Sequence, residues 1–192
     1  MVEPLSWRGC FLIMKLIPLT RGLFAKVDDE DYDYLSQFKW NATQSNGGFY
    51  ACRTIWAGFK KRKKLSMHRH ILRVDDPTIV VDHIDHDTLN NQKSNIRKCT
   101  ITQNAKNRSS LKGSTSKYLG VHLNECKKTY MTKRGLVTNI KMRYVTKIQT
   151  TEKEIYLGSF EHSTEGEIEA AKTYDKAARI HHGEFANLNF KD

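Results

Sequence analysis

Apolar and polar positions alternate at two periods along this chain, and each change of period marks an element. Residues 15–19 and 23–27 are apolar runs of strand length. The acidic stretch beginning at Asp28 and running to Leu35 predicts a short helix, because carboxylates in a first turn meet the positive end of the helix dipole. Ser45, Asn46, Gly47 and Gly48 are turn residues ahead of a strand at 49–56, so a hairpin is expected there. Residues 66–73 read as a short helix. Val80 and Val81 open a strand into Asp82 and His83, a loop rich in Asp and Asn follows, and 95–99 returns as a second short strand. Thr100 and Gln103 stand at capping-box spacing, which predicts a helix carrying Asn104 and Asn107 on one face. The local order is strand, loop, strand, helix.

Residues 109–116 are small, polar and flexible and form the best linker in the chain. Beyond them, strands are expected at 118–123, 139–149 and 154–160. In the second of these, alternation places Met142, Tyr144, Thr146 and Ile148 on one face and Arg143, Val145, Lys147 and Gln149 on the other, so one face can pack while the other is basic. A helix then starts after Ser163 and Thr164, with Thr164 and Glu167 at capping-box spacing and Gly183 as its stop. Ala170, Ala171, Tyr174, Ala177, Ala178 and His181 form a stripe at helical period, read as core. No internal repeat is present.

Composition sharpens this picture. Of 192 residues, 39% are hydrophobic, enough to build a core and to exclude a wholly disordered chain. The net charge of +11 favours a polyanionic partner, most often nucleic acid. A membrane span needs roughly 20 apolar residues, and no run approaches that. Cys10, Cys52, Cys99 and Cys126 lie far apart with no C-x-x-C pair, which disfavours a zinc ribbon or a disulfide scaffold and fits a reducing cytoplasm. Residues 1–13 read as a tail or an upstream start. The basic run Lys60, Lys61, Arg62, Lys63 and Lys64 is either a solvated loop or edge strand, or a strand that contacts phosphates.

The segment from Val80 to Arg108 carries the chemistry. Its Asp82-His83 pair, its Asn95 ahead of Ile96-Arg97, and its helical Asn104 resemble the HNH endonuclease family in the His-Asn-Asn form found among phage and intron-encoded members. That resemblance implies a ββα-metal unit. A neutral imidazole titrates near neutral pH, so His83 can take a proton from water. Carboxylate and amide oxygens are hard ligands suited to Mg²⁺ or Mn²⁺, and Asp82 and Asn104 supply one of each. By the same resemblance Asn95 orients His83 or pins its loop. Three other readings compete. Asp82, Asp85 and Asp87 as a calcium loop lack the spacing and the central Gly. Zinc on His68, His70, His83 and His86 lacks cysteine partners. A purely structural loop uses the turn preference of Asn and Asp. His68 either assists the site, touches DNA or packs in the core.

Tyr118-Leu-Gly-Val, Tyr156-Leu-Gly-Ser-Phe, Glu169-Ala-Ala-Lys-Thr-Tyr-Asp-Lys-Ala-Ala and Gly183-Glu-Phe-Ala-Asn-Leu-Asn-Phe, in that order, are similar to the apetala/ethylene-response-factor DNA-binding domain. The resemblance implies a three-stranded sheet set in the major groove. Carried over by position, its DNA face holds Leu119, His122, Lys147, Gln149, Glu154 and Tyr156, with arginine replaced at several places, and Arg143 joins that face by alternation. Residues 125–140 look like an insertion between strands one and two.

The expected architecture is α+β: a ββα-metal nuclease unit at 14–110, a linker at 111–116, and a three-stranded antiparallel sheet packed on one helix at 117–192. The expected function is metal-dependent cleavage of double-stranded DNA by a phage or mobile-element homing-type nuclease, cytoplasmic in its host. The second half supplies sequence preference. A DNA-binding regulator with an inactive nuclease unit is the alternative, and an RNA-binding protein a weaker third, for want of aromatic stacking platforms.

Overall fold

The computed structural model describes residues 14–45, 48–58, 61–110 and 113–191. The tail expected at 1–13 and the basic residue Lys60 lie outside them. The chain is α+β, with antiparallel sheets throughout and four α-helices among the described residues. It divides into two compact units, the first ending at Ile101 and the second beginning at Thr102. That division falls at the start of the helix predicted after Thr100, upstream of the 111–116 linker.

The first unit opens with an antiparallel hairpin of β1 (Met14–Pro18) and β2 (Phe24–Asp28). Alternation sends Ile17, Ala25 and Val27 into the core. Helix α1 (Asp29–Leu35) follows with its acidic first turn. Strands β3 (Asn41–Ser45), β4 (Gly48–Trp56) and β5 (Arg62–Ser66) form a meander with β4 central. Arg62, Lys63 and Lys64 of the basic run thus lie on an edge strand. Leu35, Trp40, Ala42, Ala51 and Met67 close the core, and the Trp40 indole N–H donates to the Leu35 carbonyl at 2.9 Å, satisfying the one polar atom that its burial would strand. Helix α2 (Met67–Ile71) leads to the hairpin β6 (Val80–His83) and β7 (Ile96–Cys99). Val74, Val81 and Ile96 pack beneath that hairpin, with Ile71 shared between this cluster and the main core.

The second unit contains most of α3 (Ile101–Lys106), then β8 (Val121–Thr132), β9 (Gly135–Gln149), β10 (Glu154–Glu161) and α4 (Thr164–His182). The sheet order is β10-β9-β8, all antiparallel. Tyr144, Thr146 and Ile148 face α4, as alternation predicts, whereas Met142, expected with them, lies past the end of the β9–β10 pairing and is exposed; the Thr146 hydroxyl donates to the Ala170 carbonyl. Ala170, Ala171, Ala177 and Ala178 are small enough to let α4 lie close on the sheet.

Three local expectations are corrected. Ser163, one residue earlier than Thr164, caps α4 by accepting from the Gly166 N–H at 3.0 Å, while Glu167 accepts from the Ser116 hydroxyl instead of closing a capping box. His182, not His181, ends the buried stripe. Asn107 falls just beyond α3 rather than within it. Gly183 does terminate α4, at φ 56°. The C-terminal Leu-Asn-Phe acts as a strap: Asp175 accepts from the backbone N–H groups of Asn189 and Phe190, both at 2.9 Å, and the Asn189 amide grips both backbone groups of Leu119.

The tightest backbone approach is at Gly120, which adopts φ +75°. A Cβ built there would stand 2.0 Å from the Tyr174 ring. Gly120→Ala therefore meets both overpacking and a left-handed backbone, and should lose about 2–4 kcal/mol. Urea unfolding of the purified variant checks this, with retained wild-type stability showing that Tyr174 does not pack on that glycine.

Candidate active site and nucleic-acid surface

The β6–β7 hairpin places Asp82 opposite Arg97 and His83 opposite Ile96. The loop between the strands is organised largely by side chains, with a backbone bridge from Asn90 to Lys26 of β2. Asn95 is the centre of this arrangement. Its carbonyl oxygen accepts from the Asp85 N–H at 3.0 Å, and its amide donates to Asp85 Oδ1 at 2.8 Å and to the Asn90 carbonyl at 2.9 Å. Asp85 also accepts from the Asn90 amide and the Asp87 N–H, both at 2.8 Å. Burial by itself would raise the Asp85 carboxyl, but these donors together hold it below its usual range.

The loop is then fastened to the first sheet. The Lys26 N–H donates to the Leu89 carbonyl, and the Asn91 N–H donates to the Lys26 carbonyl, both at 2.8 Å. Lys26 Nζ meets Asp87 at 2.8 Å. Thr88 donates to the Phe49 carbonyl at 2.7 Å. Asp28, buried at the start of α1, makes no cap bond with its side chain. Its two oxygens instead accept from the Lys93 N–H at 2.7 Å and the Gln92 amide at 3.0 Å.

His83 is buried at 5% exposure. Its ring lies edge to face with that of His68, centroids 5.1 Å apart, and Tyr50 completes the group at 6.1 Å from His83 and 5.9 Å from His68. Burial lowers the His83 pKa, against the pull of Asn91 and the carboxylates Asp85, Asp82 and Asp87. His68 is lowered to about 3, by burial first and then by His83 and Arg69. Burial raises the Tyr50 hydroxyl. Both imidazoles are therefore neutral at neutral pH, the state a proton acceptor needs.

The Asp82 carboxylate is engaged by Arg97, whose Nε and Nη2 both reach Oδ2, at 3.0 and 2.8 Å. Asn104 sits half-buried on α3, in the second unit. As donors, an anionic carboxylate oxygen and a neutral amide oxygen suit a hard divalent cation. A cation on Asp82 competes with the guanidinium for that carboxylate. Among the described residues no three His, Cys, Asp or Glu side chains converge as a metal cluster. His70, one member of the zinc alternative, stacks on Tyr34 at 5.5 Å.

Of the basic residues, Lys61, Arg62, Lys63 and Lys64 are all exposed, the last three on β5. Arg62 lies over the Trp56 ring at 5.0 Å, and Trp56 is itself 67% exposed. In the second unit His122, Arg143, Lys147, Gln149 and Tyr156 share the face of the sheet away from α4. Leu119 does not belong there: it packs against Ile148 and Tyr174, where an apolar side chain is better placed than on a polar face. Two cations of that face are already held. Lys147 pairs with Glu154 at 2.8 Å, and Arg143 donates to the Ser159 hydroxyl at 2.7 Å and to its carbonyl at 3.0 Å. Gln149 donates to the Thr150 carbonyl.

Tyr50 and Asn91 do not stand out in the sequence, Asp28 shows there only as an acidic helix start, and Arg97 only as a member of the motif. The partner of Arg97 leaves a signal there, since pairing the two predicted strands from their outer ends sets it across from Asp82. Compared with family models, curated proteins and solved structures, the chain finds no match.

The depressed histidine gives a prediction with a definite sign. His68 has its ordinary value of 6.5 in the unfolded chain and about 3 when folded, so the unfolded state binds more protons between those limits. Stability is complete above about pH 6.5 and falls as the pH drops toward 3, by about 1.4 kcal/mol per pH unit for one such group. Urea unfolding from pH 7 to pH 4 should show more than that slope, because burial lowers His83 as well, and His68→Phe should reduce it by one proton. An unchanged slope in the variant would show that His68 titrates normally when folded.

Proposed function

We propose that this chain is a metal-dependent endonuclease that hydrolyses phosphodiester bonds of double-stranded DNA, of the HNH type in its His-Asn-Asn form. The observation that carries the reading is the buried, neutral His83 at the end of a hairpin strand, next in sequence to Asp82, with its loop braced by Asn95. His83 accepts a proton from the attacking water. Asn95 keeps the loop, and with it the approach to His83, in one conformation. Asp82 would hold Mg²⁺ or Mn²⁺, which when bound supplies positive charge to the phosphate as its negative charge develops. The exposed cations Lys61, Arg62, Lys63 and Lys64 offer phosphate contacts, and the outer face of the second unit's sheet, in the manner of the apetala/ethylene-response-factor domain, offers sequence preference. A phage or mobile-element homing-type enzyme acting in the cytoplasm of its host fits this combination. Among the described residues no helix is long and apolar enough to cross a membrane.

One observation favours the second reading, a DNA-binding regulator with an inactive nuclease unit: Arg97 already neutralises Asp82. Plasmid nicking separates the two. The full chain should nick supercoiled DNA with Mg²⁺ or Mn²⁺ and stop in EDTA. His83→Ala should lose about 10²–10⁴-fold in rate while binding duplex as the parent does. Nicking that persists in EDTA, or at full rate in His83→Ala, overturns the mechanism. Binding without nicking under any metal establishes the regulator.

A further inference from the structure

We infer that the ribbon formed by the outer halves of β8 and β9 is a DNA-binding arm, which extends beyond the sheet face through which the second unit was expected to read DNA. This rests on the proposed DNA partner but not on nuclease activity. Strand β10 pairs with β9 only from Arg143 to Gln149, whereas β8 and β9 pair with each other as far as Thr132 and Gly135. Residues 125–142 are thus a two-stranded ribbon with no third strand. At about 3.4 Å per residue, the stretch from Asn124 to Thr132 reaches about 27 Å. The major groove, about 12 Å wide, admits a two-stranded β-ribbon.

Charge selects the occupant. The ribbon carries Lys127, Lys128, Lys133, Arg134 and Lys141 against Glu125 alone. Lys127 lies 3.8 Å from Glu125, and among the described residues Lys128, Lys133, Arg134 and Lys141 have no ion pair. This contrasts with Lys147 and Arg143 on the neighbouring sheet face, which are held by Glu154 and Ser159. By register Lys128, Lys141, Asn139 and Tyr130 continue the face of Arg143 and His122. The tip that carries Lys133 and Arg134 is an ordered turn, with Thr132 Oγ1 donating to the Gly135 carbonyl at 2.8 Å and accepting from the Arg134 N–H at 3.2 Å. The opposite face exposes Met131, Leu136, Ile140 and Met142. A second copy of this chain could cover those side chains only by bringing two cationic arms together, which like-charge repulsion opposes.

The test uses the full chain and a 30-base-pair duplex of arbitrary sequence, with affinity followed by fluorescence anisotropy across a KCl series. Lys128, Lys133, Arg134 and Lys141 are replaced together by Gln, and circular dichroism verifies the fold. A second variant replaces residues 126–141 by Asn-Gly. Both should bind more weakly, with the log–log salt slope reduced by about 0.9 for each phosphate that the variant no longer neutralises. Affinity and slope equal to those of the parent in both variants overturn the arm. So does a parent dimer in sedimentation that dissociates on Leu136→Ser with Ile140→Ser while duplex affinity is untouched, since that assigns the ribbon to self-association. A parent that binds duplex through the arm but never nicks it upholds this inference and removes the nuclease.

Discussion

A buried carboxylate holds the candidate site in place. Asp28 ends β2, begins α1, and accepts from the backbone and side chain of the loop residues Lys93 and Gln92. A loop between two four-residue strands has few backbone partners of its own, and buried backbone groups must find some. Here they are found in β2 and the side chains of Asp28, Asp85 and Asn95. His83 thus ends up at a fixed place because the first sheet and its hairpin form one hydrogen-bonded structure. The same burial that fixes the ring also lowers its pKa, so position and protonation state share one cause.

The aromatic group around His83 extends this logic. Tyr50 comes from β4 and His68 from α2, and both meet the His83 ring at right-angled geometries. These three elements are far apart in the chain: Ala51 and Met67 hold β4 and α2 in one core, and Ile71 links that core to the cluster of Val81 and Ile96 under β6. A neutral His68 adds no charge next to His83, whereas a protonated one would repel a proton arriving there.

Charge is distributed unevenly across the second unit. The sheet face proposed to give sequence preference has part of its positive potential cancelled within the protein, by Glu154 on Lys147. The projecting ribbon keeps its cations exposed. Ionic attraction to a phosphate backbone falls on charges that reach into solvent without an internal partner, and Lys128, Lys133, Arg134 and Lys141 of the ribbon are such charges.

Much of the fold was legible in the chain. The alternation of Tyr144, Thr146 and Ile148 named the packed face of β9, the alanine stripe named the buried face of α4, and Gly183 named its end, because each depends on a local period or a local backbone preference. The candidate site was legible as a series of residue types: Asp82, His83, Asn95 and Asn104 in order. What escaped depended on distance in sequence. Choosing Ser163 over Thr164 as the cap, and His182 over His181 as the buried residue, turns on one step of rotation that only packing against the sheet decides. Arg97 reaches Asp82 through strand register, Leu119 is drawn inward by Tyr174 and Asn189, and Asp28 leaves its own helix to bind a loop more than sixty residues away. A sequence carries periods, caps and turn chemistry within a few residues. The partner of a buried polar group is settled only when the core brings distant segments together and each donor must find its acceptor.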